Sequence, residues 1–234
     1  MNASASQPAE ARMGRQCRHG WRLCSLKSEV PAPAAVPLFH RQATVPMNLP
    51  YSVEELTRAI ESGFAPKWAF FWGHTPSNDA QITRACFSQW WSGHSFCIDG
   101  IVYPTAEHYM MAEKARLFND QARLGDILAA SEPAVAKKLG RQVNPFNDHI
   151  WLEHRWNIVV RANTAKFTQN EPLRQFLLHT GDRILVEASP FDRIWGIGMA
   201  ATHPDAENPS KWKGLNLLGF ALMTVRQQLA GPQP

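Results

Sequence analysis

The stretch Ser95-Phe-Cys-Ile-Asp-Gly-Ile-Val-Tyr-Pro-Thr-Ala-Glu-His-Tyr-Met-Met-Ala-Glu-Lys-Ala-Arg-Leu-Phe118 changes character half-way along, and that change decides the fold. Its first part predicts a β-hairpin. Asp99-Gly100 supplies the positive φ angles of a type I′ turn between Ser95–Ile98 and Ile101–Tyr103. Pro104 ends the pairing, and Thr105 is placed to cap a helix running to Phe118. A minimal β element therefore feeds directly into helix, and helix signals dominate on both sides of it.

Toward the N-terminus, Trp68 to Trp72 is a short aromatic run suited to a strand. Before it, Ser52-Val-Glu-Glu55 reads as a capping box opening a helix that Gly63 closes. Toward the C-terminus, Asp120 caps Gln121 to Ala130, and Ser131 with Pro133 opens a helix ending at Gly140. The longest helix is expected over about Asp148 to Phe167, with Ile150, Trp151, His154, Ile158, Arg161, Ala162 and Ala165 at three- and four-residue steps. Another spans Pro172 to Thr180, Arg183 to Glu187 is strand-like, and a last helix covers about Leu215 to Leu229. The expected fold is mainly α, one helical domain with a small β element.

The chain has 234 residues, 44% of them hydrophobic and 19% charged. That is enough apolar material for one sizeable core and excludes a fibrous, disordered or disulfide-stapled chain. Residues 1–50 hold six basic and two acidic side chains, which is the whole of the net +4; the other 184 residues carry 18 of each sign. They form an Ala/Pro-rich basic tail, expected to be disordered, a leader such as a transit peptide, or a segment preceding a true start at Met47, ahead of a domain over 51–234. A neutral body lacks the basic face of a duplex-binding protein. The longest apolar run, Leu217 to Val225, is far short of the roughly 20 residues that span a bilayer. Cys17, Cys24, Cys86 and Cys97 form no CxxC pair, which suits free thiols in a reducing, cytoplasmic setting.

Two constellations could carry chemistry. Seven residues separate Glu107 from Lys114, roughly 20° short of two helical turns, so a carboxylate and an amine share one stripe with Met110 and Met111 between them. Desolvation there can lower a lysine pKa and leave it nucleophilic, while a surface ion pair is the ordinary alternative. His108 alone suits a hydrogen-bonded structural histidine. The second is Glu187-Ala-Ser189-Pro-Phe-Asp192-Arg-Ile-Trp195-Gly196-Ile-Gly198, a loop following a strand, with acids for sugar hydroxyls and an indole for a flat ring. Gly196-x-Gly198-x-x-Ala201 fits a dinucleotide fingerprint only loosely, because Pro190 breaks the strand and no parallel strands alternate with helices. Lys166, and the segment Lys211 to Asn216 opening the last helix, offer cations for phosphate.

The blocks Phe71, Phe87-Ser88, Tyr103-Pro-Thr-Ala-Glu107-His-Tyr-Met-Met-Ala-Glu-Lys114-Ala115, Lys166-Phe167-x-Gln169-Asn170, Glu187 to Gly198 and Gly214-x-Asn216-x-Leu-Gly219, with Arg226 beyond, occur in order over about residues 68–229. In this succession the chain resembles the YbiA/NADAR family. The resemblance implies an N-glycosidase acting where a sugar's anomeric carbon is bonded to an exocyclic amino nitrogen: phosphoribosylamino-pyrimidine intermediates of riboflavin biosynthesis, or ADP-ribose on guanine. It implies Glu107, Lys114 and Asp192 as catalytic groups and Phe71, Ser88, Lys166, Glu187, Ser189, Trp195, Gly196, Gly198 and Asn216 around the substrate. Two routes stay open: addition of Lys114 to the sugar as a Schiff base, or a carboxylate activating water. Neither calls for a metal or other cofactor. The expected partner is a small nucleotide or phosphoribosyl substrate, or an ADP-ribosylated nucleic acid, with no membrane and no obligate protein partner. A non-catalytic reader of ADP-ribose, and a single-strand binder using its nine tryptophans, are the competing readings.

Overall fold

The Asp-Gly turn forms as its chemistry demands. Asp99 and Gly100 take φ of 52° and 77°, and β2 (Phe96–Ile98) pairs antiparallel with β3 (Ile101–Tyr103), Ile98 opposite Ile101. The structure, a computed structural model, describes residues 49–75 and 81–231. The expectations for the tail, with Cys17, Cys24 and Met47, lie outside the described residues.

Among the described residues seven helices follow the sequence signals closely: α1 (Val53–Glu61), α2 (Ala106–Leu117), α3 (Gln121–Ala129), α4 (Pro133–Gly140), α5 (Asp148–Gln169), α6 (Glu171–Leu178) and α7 (Leu217–Ala230). Thr105 caps α2 by accepting from the His108 amide, and Asp120 caps α3 by accepting from that of Arg123. The box on α1 is half of the expected one: Ser52 accepts from the Glu55 amide, but Glu55 answers to the amide of Tyr51 at 2.8 Å. At α4 the cap position falls on Glu132 rather than Ser131, and α7 starts only after Asn216, which sits in the left-handed region at φ 52° and makes no side-chain cap.

The aromatic run gives β1 (Trp68–Phe71), and its partner is β4 (Ile184–Glu187), lying parallel with Phe71 opposite Glu187. The described residues thus hold two separate two-stranded sheets, one local and one joining distant segments. β4 is wholly buried up to its last residue, because α7 covers it; α7 also packs on α5, and α5 on α2. Helix α2 is buried over most of its length, with α3, α4 and α5 around it.

On α5 the buried stripe differs from the expected one. It is Val159, Ala162, Asn163, Lys166 and Phe167, while Ile150 and His154 face water. A stripe containing Asn and Lys reads as polar in sequence, yet it is buried, with the donors of both side chains taken up by protein acceptors. The Lys166 ammonium donates to the carbonyls of Cys86 and Ser88 at 2.6 and 3.0 Å, and the Asn163 amide donates to the Gln89 side chain and the Val159 carbonyl.

Candidate active site

Three carboxyl groups from two distant parts of the sequence, Glu107 and the pair Glu187 and Asp192, act on one another at the C-terminal end of the β1–β4 pair. Glu107 stands in the first turn of α2, its amide held by the Gln89 carbonyl at 2.9 Å. A helix N-terminus favours the ionised carboxylate. Burial outweighs it: with the side chain only 2% exposed, desolvation pushes the Glu107 pKa up to about 7, aided by the charge of Asp192 and opposed by Lys137, the Trp90 indole and Arg141. Glu187 ends β4, and desolvation, with Asp192 and Glu107 adding to it against Lys137, lifts its pKa to about 8. Glu107 Oε1 and Glu187 Oε2 are shielded from solvent and have no hydrogen-bond partner within the protein.

Asp192 is held differently. Its Oδ1 accepts from the amides of Ile194 and Trp195, both at 2.8 Å, and its own amide donates to Ser189 Oγ at 3.2 Å. Ser189 and Asp192 therefore fasten the loop after β4. Gly196 lies where that loop folds back on the strand: a Cβ there would stand 2.7 Å from the Glu187 carbonyl, so any larger residue would displace the acid. Gly198 donates its amide to the Asp192 carbonyl, and the Trp195 carbonyl accepts from Leu218 at the start of α7. Asn216 is fully buried and bridges the same region, accepting from the Glu187 amide and donating to the Leu185 carbonyl, each at 2.9 Å. Its left-handed backbone aims the side chain at β4 instead of at its own helix.

The remaining expected residues divide by position. Phe71 is buried against Phe87, ring centroids 5.4 Å apart, so its ring belongs to the core. Ser88 accepts from the Trp90 amide and shapes the turn carrying that indole. Lys166 is occupied by two carbonyls, and desolvation lowers its pKa to about 8. Burial pushes the nearby Cys86 thiol up to about 12. His108 is buried with Nδ1 2.8 Å from the Thr105 hydroxyl, a structural histidine. Lys114, at the other end of α2, lies over the rings of Phe146 and Trp151 at 4.1 and 5.6 Å. Desolvation lowers its pKa, Asp148 opposes that shift, and Arg141 adds to it.

Sequence reading missed Lys137 and Arg141. They lie four residues apart, Lys137 in the last turn of α4 and Arg141 at its C-cap, and both oppose the rise of the Glu107 pKa. Lys137 also sits over the Trp90 ring at 5.5 Å. The run Lys137-Lys138 looks like an ordinary solvated helix end, and only the packing of α4 on α2 brings Lys137 to the acids. Among the described residues no group of three or more His, Cys, Asp or Glu side chains could hold a metal ion.

The ordered blocks around Glu107, Glu187 and Asn216 thus meet at one place, and residues 70–230 match the NADAR domain family. The chain belongs to the NADAR domain family. It is 41% identical over 170 residues to N-glycosidase R617 of Acanthamoeba polyphaga mimivirus, covering 69% of this chain and 96% of that protein. It is 35% identical over 133 residues to N-glycosidase YbiA of Escherichia coli, covering 57% and 74%. The NMR structure of E. coli YbiA superimposes with a TM-score of 0.56 at 29% identity, over 78% of this chain and 94% of that one. With these relatives named N-glycosidases, this NADAR chain is an N-glycosyl hydrolase, and the single helical domain with few short strands is the YbiA-like fold. No helix among its described residues is long and apolar enough to cross a membrane.

Proposed function

We propose that the chain hydrolyses the bond between a (phospho)ribose anomeric carbon and an exocyclic amino group on an aromatic base, on phosphoribosylamino-pyrimidines of riboflavin biosynthesis or on ADP-ribosylated guanine. The observation that carries the reading is the meeting of Glu107, Glu187 and Asp192 with Lys137, two of the acids having pKa values near 7 and 8. Such carboxyls hold a proton at neutral pH and can give it to a leaving amine. In the reaction Glu107 protonates the departing nitrogen, the C–N bond breaks, and a water oxygen bonds to the anomeric carbon. Asp192 takes up the water's proton and stabilises positive charge developing on the sugar. Glu187 holds ribose hydroxyls, and Trp195 with the Gly196 and Gly198 backbone borders the base.

A second reading gives Lys114 the attack, adding to the ring-opened sugar as a Schiff base that water then hydrolyses. What favours it is the amine's half-buried seat on two aromatic rings, which lowers its pKa. The direct route fits better, because none of Glu107, Glu187 and Asp192 is among the charges felt by Lys114. The test is turnover of both substrates by the full chain, product identified by mass spectrometry, with borohydride present to trap an imine. Free ribose phosphate or ADP-ribose without a trapped adduct is expected. An adduct mapped to Lys114 would select the Schiff base, and tight ADP-ribose binding with no product from either substrate would make the chain a reader rather than an enzyme.

A further inference from the structure

Two large aromatic rings stand open to solvent beside the acids. Trp72 is 59% and Phe191 86% exposed, with ring centroids 6.4 Å apart and planes inclined by 50°. Trp72 is the first residue after β1 and Phe191 the fourth after β4, and the parallel register that sets Phe71 opposite Glu187 brings both chain exits to one edge. The pairing continues one residue further, since the Ala188 amide donates to the Phe71 carbonyl. Phe191 is the immediate neighbour of Asp192.

Folding gives no reason for this arrangement. A phenyl ring left in water gains nothing from the core, and each Å² of apolar surface so exposed forgoes about 25 cal/mol. Phe191 is nevertheless held out by a fastened loop, its own amide and that of Asp192 both donating to Ser189 Oγ. The inclination also matters. Two parallel rings about 7 Å apart would sandwich a third, whereas rings at 50° offer one face for stacking and one edge beside it.

We propose that Trp72 and Phe191 form an aromatic clamp for the base that departs when the sugar–nitrogen bond is cut. The proposal rests on the N-glycosidase reading. In a glycosylamine the nitrogen joins the anomeric carbon directly to the base, so a sugar bound at Asp192, next to Glu107 and Glu187, carries its base toward the chain exits where Trp72 and Phe191 stand. A heteroaromatic ring there stacks on one side chain and meets the other edge-on. The clamp supplies the stacking, while Trp195, which is partly buried and packs against the core, borders the base.

Phe191→Ser and Trp72→Ser in the full chain test this cleanly, because neither ring supports the core. For the phosphoribosylamino-pyrimidine and the ADP-ribosylated guanine oligonucleotide, KM is expected to rise roughly 5- to 100-fold with kcat nearly unchanged, the range of one base–aromatic stack. Trp72→Phe, which keeps a ring, restores most of the loss. Calorimetry with guanosine monophosphate should show the same weakening, and ribose 5-phosphate, which has no base, should bind all variants alike. Unchanged KM and unchanged guanosine monophosphate affinity in both Ser variants would overturn the clamp. So would a wild-type dimer that Phe191→Ser splits without altering KM, since the rings would then join two copies. Base binding lost in the Ser variants of a protein that turns over neither substrate would sustain the clamp while removing the glycosidase reading.

Discussion

The two ends of helix α2 carry the two residues that its sequence places on one stripe, yet they lie in different surroundings. At the first turn Glu107 is fully buried among Glu187, Asp192, Trp90 and Lys137. At the last turn Lys114 is half-buried under Phe146 and Trp151, with Asp148 as the opposing charge. Two turns of helix bring side chains to one side but leave them about 10 Å apart along the axis. A shared helix face is therefore not a shared site. What makes a site at one end is the arrival of the acids after β4 and of Lys137 from α4, whereas at the other end Lys114 meets the rings of Phe146 and Trp151.

The sharpest way to break the comparison is at Glu107. Glu107→Gln keeps the shape and removes the transferable proton, and turnover should fall by about 10²- to 10⁴-fold. The same variant should gain stability relative to the wild type as pH rises. Glu107 and Glu187 have folded-state pKa values near 7 and 8 against 4.5 in the open chain, so across that window the folded protein binds protons the unfolded chain has released, and stability falls as pH climbs through it. The substituted amide cannot ionise. The melting temperature of the variant should exceed that of the wild type by a margin growing from about pH 5 to 8; a constant or shrinking margin would contradict the burial of a titrating acid.

Next in size is Asn216→Ala, which strips two hydrogen bonds from β4 and leaves the Glu187 amide and the Leu185 carbonyl unpaired. About 2 to 4 kcal/mol of stability should go, read by denaturant unfolding, with turnover reduced in the fraction that stays folded. Lys137→Ala should move the alkaline limb of the pH profile of kcat/KM upward, because the cation that favours ionisation of both acids is gone. Lys114→Met should have the smallest effect, within about fivefold. A loss of about a thousandfold there would erase the distinction between the two ends of α2 and install the Schiff base.

How much of this was legible in sequence depends on distance along the chain. The hairpin and the caps at Thr105 and Asp120 rest on neighbours a few residues apart, so turn and capping chemistry predicts them. The pairing of β1 with β4 joins residues 68–71 to 184–187, and no local pattern states that two four-residue strands so far apart lie parallel. Glu187, Asp192 and Asn216 were recognisable as residues of interest, but that Asn216 holds the Glu187 amide depends on a left-handed backbone before α7. Lys137 was hidden because a lysine near a helix C-terminus is ordinary, and only α4 packed on α2 gives it an acid to meet. Lys166 misled in the opposite sense: it reads as a free cation for phosphate, and it is buried on two carbonyls.

The most direct test is the pH dependence of kcat/KM for the full chain, wild type and Glu107→Gln, on the phosphoribosylamino-pyrimidine and the guanine-linked ADP-ribose, from about pH 5 to 9. The acid cluster predicts release of free sugar by the wild type with a rate that falls as the carboxyls near 7 and 8 lose their protons, and a variant that is nearly inactive throughout. A wild-type rate that stays level to about pH 9, or a Glu107→Gln variant that keeps pace with it, would contradict the assignment of proton transfer to these buried acids.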